Sequence, residues 1–139
     1  RRFENWVSLV DILRLSHADM AYLYPEKDIA VLLPDWFESG LSLVILTRGV
    51  EGSSAYLPDG ISVQAPAEKV VVKDTVGAGD TFFSAVLTYL YEKDLLEKKE
   101  RIQEMSEKEL RECLAFASKA AGMNCTRSGA SPPYRHEME

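Results

Sequence analysis

Leu43-Val44-Ile45-Leu46-Thr47 runs without a charge or a turn former, and it restricts the possible folds more than any other stretch of the chain. Such a run has no polar side to offer water. It suits a strand in a parallel sheet covered on both faces, and that in turn demands helices above and below. The remaining pattern supplies candidates. Residues 5–16 place Trp6, Leu9, Val10 and Leu13 at helical intervals behind a capping Asn5. Residues 18–24 read as a short buried strand, 26–33 as a helix, and Pro34 opens a second short helix to residue 39.

Beyond the apolar run, two short strands are predicted over 53–57 and 61–64. Pro58-Asp59-Gly60 joins them, with proline presetting φ and glycine accepting a positive one. Residues 70–72 predict a further strand. A helix is expected from near Asp80, with Phe83, Val86, Leu87 and Leu90 as its buried stripe. Residues 92–104 carry mixed charge and read as a solvated helix or linker. Ser106-Glu107-Lys108-Glu109 is a capping box, opening a long helix with Leu110, Cys113, Leu114, Ala117, Ala120 and Ala121 inside. Residues 122–133 read as irregular and the tail as polar. Alternating strands and helices imply an α/β fold, a mostly parallel sheet flanked by helices.

With 139 residues, 46% hydrophobic and 27% charged, the chain has the balance of a globular domain. A net charge of −6 without a basic block argues against nucleic acid or an anionic membrane as partner. No apolar run approaches the roughly 18 residues of a membrane span. Cys113 and Cys125 match no metal-ligand spacing and read as reduced thiols of a cytoplasmic protein. The chain opens on Arg1 directly into helical pattern, which predicts a segment of a longer polypeptide.

The chemistry is concentrated in Asp74-Thr75-Val76-Gly77-Ala78-Gly79-Asp80-Thr81-Phe82. Small residues between a strand and a helix start let the backbone approach a ligand closely. Successive N–H groups and the positive end of the helix then form an anion site. A carboxylate there has two readings: Asp80 caps the helix, or it takes a proton from a hydroxyl attacking a phosphoryl group. Neither GxxxxGK[ST] nor GxGxxG occurs, so the P-loop and dinucleotide-binding readings fail.

The longer string DTVGAGDTFF closely resembles the second signature of the PfkB carbohydrate kinases. Thr47-Arg48-Gly49-Val50-Glu51-Gly52 looks like the TxGxxG element of that family. Residues 125–133, CTRSGASPP, resemble its closing stretch in a form common among bacterial fructokinases, and Ala18-Asp19-Met20 sits where relatives begin their ADI strand. The resemblance implies the carboxy-terminal part of a ribokinase-like three-layer fold. Residues 1–139 would form the nucleotide-binding portion of the kinase domain, without the amino-terminal sugar-binding half and its lid. The implied reaction is ATP-dependent phosphorylation of a sugar hydroxyl, with fructose the favoured substrate. The alternative is a non-catalytic relative that binds nucleotide.

The resemblance also implies roles by position. Asp80 would be the base, and Gly77, Ala78 and Gly79 the anion hole. Thr47, Gly49 and Gly52 would border the nucleotide, and Ser118 falls where relatives carry an asparagine near the adenine. Potassium would be held by Asp74, the Val76 carbonyl and carbonyls of Cys125 and Gly129. Magnesium would bridge the nucleotide phosphates largely through water. Relatives carry an N-x-x-E-like element after the ADI strand; here Tyr24-Pro25-Glu26-Lys27 departs from it, leaving Glu26 as the acid. A homodimer of the full-length protein is the implied assembly.

Overall fold

The computed structural model describes residues 2–139. The apolar run is strand β2 (Leu43–Thr47), and it is buried as its composition demands. It pairs in parallel with β1 (Ile12–Ser16) and antiparallel with β3 (Ser53–Tyr56), which pairs antiparallel with β4 (Ser62–Ala65). The order is β1-β2-β3-β4. The mostly parallel sheet expected from sequence is therefore a mixed one in this chain. Two short connections are responsible, the loop between Thr47 and Ser53 and the Pro58-Asp59-Gly60 turn, since a short hairpin joins only antiparallel neighbours.

The alternation of β2 divides two cores. Val44 and Leu46 face a cluster with Leu15, Met20, Ile29 and Trp36, carried by β1 and by helices α1 (Arg2–Val7), α2 (His17–Leu23) and α3 (Ile29–Glu38). Leu43 and Ile45 face the other way, onto α4 (Ala78–Glu92) and α6 (Glu107–Cys125). Helices thus cover both faces, and the three-layer α/β arrangement stands. Each fully buried aliphatic side chain in such a strand contributes roughly 1.5–3 kcal/mol.

Several expectations give way in the first forty residues. The helix expected over 5–16 ends at Val7, and the chain turns into β1 instead. Leu9, one of the apolar residues at helical intervals, is 75% exposed. Pairing with β2 decides the matter, because Leu13 and Leu15 then point to one core while Ile12 points to the other. Residues 18–24 are helical, not a strand. Ser16 and Asp19 form a reciprocal capping box, with Asp19 N–H on Ser16 Oγ at 3.0 Å and Ser16 N–H on Asp19 Oδ2 at 2.8 Å. The two helices expected around Pro34 are one, α3, whose start Asp28 caps by accepting from Ala30 N–H at 2.8 Å.

Residues 70–72 form no strand, and Val71 is 90% exposed. The chain that follows docks elsewhere: the N–H groups of Lys73 and Asp74 both bond the Cys125 carbonyl, at 2.8 and 3.2 Å. The charged stretch 92–104 contains a short helix, α5 (Lys99–Gln103), anchored by Ile102 and flanked by buried Met105. The Ser106 box caps α6 as expected. That helix runs four residues past its expected end at Ala121, and residue 122 is a glycine because the 68–70 segment crosses there. A Cβ on it would meet Glu68 Cβ at 2.7 Å. The polar tail is pinned by Met138 in the core and by Arg135 on Glu92 at 2.7 Å.

Candidate active site

The loop ahead of α4 and the loop after α6 are knitted together. Asp74 joins them with both oxygens: Oδ1 accepts from Val76 N–H at 3.0 Å and Oδ2 from Gly129 N–H at 2.9 Å. The Val76 and Gly129 N–H groups hold its carboxyl below the usual value of 3.8. Asn124, buried in the last turn of α6, makes the second tie. Its Nδ2 donates to the Val76 carbonyl and its Oδ1 accepts from Ser131 N–H, both at 2.9 Å. Arg127 braces the second loop through Ser131 O, Pro132 O and the Glu137 carboxylate, which assigns it to structure.

This clamp fixes how α4 begins. Gly77 sits in the left-handed region at φ 76°, and a Cβ there would meet Ala130 Cβ at 2.9 Å. Ala78 N–H bonds Thr75 O at 3.1 Å, and Thr81 N–H is the first to close a helical turn, on Gly77 O at 2.9 Å. The N–H groups of Gly79 and Asp80 lie ahead of that turn, at the positive end of a 15-residue helix. The Asp80 carboxylate stands exposed in the same turn. It accepts no hydrogen bond among the described residues, and the N-cap is Gly77. The capping reading of Asp80 therefore fails.

Thr47 ends β2 beside Ser16 at the end of β1, so both lie at the carboxyl edge of the parallel pair, where open α/β sheets place ligands. Thr47 Oγ1 donates to Leu15 O at 3.4 Å and accepts from Arg14 Nη2 at 3.2 Å. Arg14 in turn lies over Gly79, whose Cβ would fall 2.4 Å from Nη2. Thr47, Gly79 and the start of α4 are thereby brought together. Gly49 and Gly52 shape the turn into the hairpin; Gly52 adopts φ 92° and a Cβ would overlap Ala65 O at 2.1 Å. Ser118 is 7% exposed on the packed side of α6, and no hydrogen bond joins it to either loop among the described residues.

Glu26 does not hold its expected position. It lies in an exposed turn after a helix, at φ 65°, not after a strand. Strand β1 ends on Ser16, and Ser16-His17-Ala18-Asp19 sets an acid three places beyond that small polar residue. Hydrogen bonds from Ser16, aided by the Arg14 charge, keep Asp19 below its normal value of 3.8. Sequence reading passed over Arg14, Asn124 and Asp19. Asn124 carried a signal, being a polar residue four beyond Ala120 on an inner helical face.

The potassium ligand set fits in part. Each Asp74 oxygen and the Val76 carbonyl carry one hydrogen bond and keep a lone pair for a cation. The Cys125 carbonyl accepts two N–H groups and has none to spare, and Gly129 enters through its N–H.

A pfkB family carbohydrate kinase model matches residues 1–137. The chain is 36% identical over 110 residues to a fructokinase of Rhizobium leguminosarum bv. trifolii, covering 79% of this chain and 33% of that protein. It thus spans about a third of that curated relative's length. The ATP-bound fructokinase of Xylella fastidiosa superposes with a TM-score of 0.83 at 21% identity, over 93% of this chain and 40% of that one. A Vibrio cholerae O395 fructokinase double mutant with bound fructose, ADP and potassium gives 0.71 at 21%, over 91% and 38%. At such identities these structures speak for the ribokinase-like fold. With the family model spanning nearly every residue, this chain belongs to the pfkB family of carbohydrate kinases.

Proposed function

We propose that this chain is the nucleotide-side portion of a kinase that transfers the γ-phosphoryl group of ATP to a sugar hydroxyl, fructose being the favoured acceptor. One observation carries the reading. Two loops clamped by Asp74 and Asn124 present the α4 amides to an anion, while the Asp80 carboxylate stands unbonded in the same first turn. In-line transfer needs little else: positioning, donors for the developing charge, and an acceptor for the hydroxyl proton. Gly77, Ala78 and Gly79 line the place of the transferring group, and Asp80 takes the proton.

Thr47 borders the nucleotide, whereas Gly52 serves the hairpin. Asp74 and the Val76 carbonyl are the groups that would hold potassium, which would neutralise charge beside the amides. Magnesium would arrive with the nucleotide and keep most of its water. Ser16 and Asp19 take the place of the N-x-x-E element, with Asp19 facing hydrated magnesium. The non-catalytic alternative drew on the loss of that acid, and Asp19 at the start of α2 supports the catalytic reading over it. A cytoplasmic setting, and a homodimer of the full-length protein, remain parts of this proposal. No helix among the described residues is long and apolar enough to cross a membrane.

Both reactants must be held in line for transfer, so the chain alone should bind nucleotide without sugar-dependent turnover. The test is ADP release over a panel of fructose, ribose, 2-keto-3-deoxygluconate and a nucleoside, with and without potassium. It is run on the chain and on a full-length version. Nucleotide binding by both, with turnover only in the longer protein, supports the reading. Absence of nucleotide binding by either sinks it.

A further inference from the structure

Arg14 sits in the middle of β1 with Ile45 as its register partner, on the sheet face that carries α4 and α6. Its guanidinium lies against the first turn of α4. A Cβ added to Gly79 would fall 2.4 Å from Nη2 and 3.0 Å from Cζ. Nη2 donates to Thr47 Oγ1 at 3.2 Å, while the Nε–H is buried with no acceptor. Among the described residues Arg14 makes no ion pair. The nearby acid, Asp19, has its carboxylate engaged by the Ser16 N–H and hydroxyl at 2.8 and 2.7 Å.

Each of these features costs the fold something. A cation is disfavoured at the positive end of a helix. A buried N–H without an acceptor is desolvated for no return. A bridge from β1 to Thr47 would need one Nη and leaves both costs unexplained. A polyanion resting on the α4 amides reverses both at once: it neutralises helix end and guanidinium together and supplies oxygen acceptors. The planar fork of arginine suits phosphate oxygens in pairs.

We propose that Arg14 is a phosphate-binding residue of this site, meeting the polyphosphate of a nucleotide beside the α4 amides, with Thr47 holding the guanidinium in place. The proposal rests on the kinase reading and adds a residue to it. It also gives Gly79 a second reason to be glycine, since any side chain there would displace the guanidinium.

The test is calorimetric titration of this chain and its Arg14→Met and Arg14→Lys variants with ATP, inorganic tripolyphosphate and adenosine. Arg14→Met should weaken ATP and tripolyphosphate at least about tenfold, the scale of charge-assisted hydrogen bonds. Adenosine should bind it as it binds the unaltered chain, and Arg14→Lys should fall between. The melting temperature of Arg14→Met should not drop, since a donor without an acceptor has been removed. Unchanged polyphosphate binding in a folded Arg14→Met overturns the proposal and leaves the kinase reading intact. Equal losses of adenosine and polyphosphate with a lower melting temperature make Arg14 structural and overturn it too. Should Arg14→Met not fold, Arg14→Lys carries the comparison: a selective loss for polyphosphate upholds the proposal, and no loss ends it. Failure of the unaltered chain to bind ATP or tripolyphosphate overturns both readings.

Discussion

Asp74 and Gly129 lie fifty-five residues apart in sequence and are joined by a 2.9 Å hydrogen bond from the glycine N–H to Oδ2. With Val76 N–H on the other oxygen at 3.0 Å, one carboxylate fastens the loop before α4 to the loop after α6. The contact is charge-assisted and therefore pH-dependent. Asp74 binds its proton less tightly folded than unfolded, below the ordinary 3.8. Its contribution is thus complete above that value and fades as pH falls through the lower folded one. The Val76 and Gly129 amide resonances should titrate together with a midpoint below the ordinary 3.8. Asp74→Asn should abolish that titration. A midpoint at or above the ordinary value would show that the two bonds do not favour the ionised form.

The parts of the fold that sequence reading reached are those decided by local chemistry. Leu43 to Leu46 have no polar face, Pro58-Asp59-Gly60 has one sensible geometry, and Ser106 with Glu109 caps a helix wherever it occurs. The glycines ahead of Asp80 marked a close-packed helix start for the same reason, and Gly77 sits at φ 76° where α4 begins. What escaped depended on partners far along the chain. Leu9 and Leu13 stand four apart, as in a helix, yet pairing of Leu13 with Val44 makes that stretch a strand. Once β1 ended at Ser16, the Ser16–Asp19 box turned the next residues into α2 and moved the candidate acid from Glu26 to Asp19. Arg14 was unreadable as a site residue until Gly79 lay beneath it.

Asn124 is the second fastening, and its loss separates packing from chemistry. Replacement by alanine leaves the Val76 carbonyl and the Ser131 N–H without their partner. At about 0.5–1.5 kcal/mol for each lost hydrogen bond, Asn124→Ala should cost about 1–3 kcal/mol in urea unfolding. Nucleotide affinity should fall with it, because Gly77 loses the support of Ala130. A cost under about 1 kcal/mol would mean that water replaces both bonds.

Two glycines of the Thr47 loop make an internal comparison. Gly49 has φ 55° with open space around its missing Cβ, so Gly49→Ala bears only the left-handed penalty of about 1–2 kcal/mol. At Gly52 the added carbon would overlap the Ala65 carbonyl oxygen at 2.1 Å, and backbone does not step aside as a side chain does. Gly52→Ala should therefore destabilise by about 3 kcal/mol or more and disturb the β3–β4 hairpin. Equal melting temperatures for the two variants would contradict this ranking.

Asp80 offers the sharpest separation of stability from activity. Its carboxylate accepts no hydrogen bond among the described residues, and Gly77, not Asp80, is the N-cap. Asp80→Asn therefore removes only a charge from the first turn of α4, about 0.3–1 kcal/mol of helix-dipole interaction at an exposed position. The melting temperature should barely move. Turnover in a full-length version should fall by at least about 10²-fold, the low end for loss of a general base. Nucleotide affinity should hold or improve, since a negative charge leaves the anion site. A loss of turnover below about tenfold would remove Asp80 as the base. A large fall in melting temperature would instead return it to the capping role that its geometry denies.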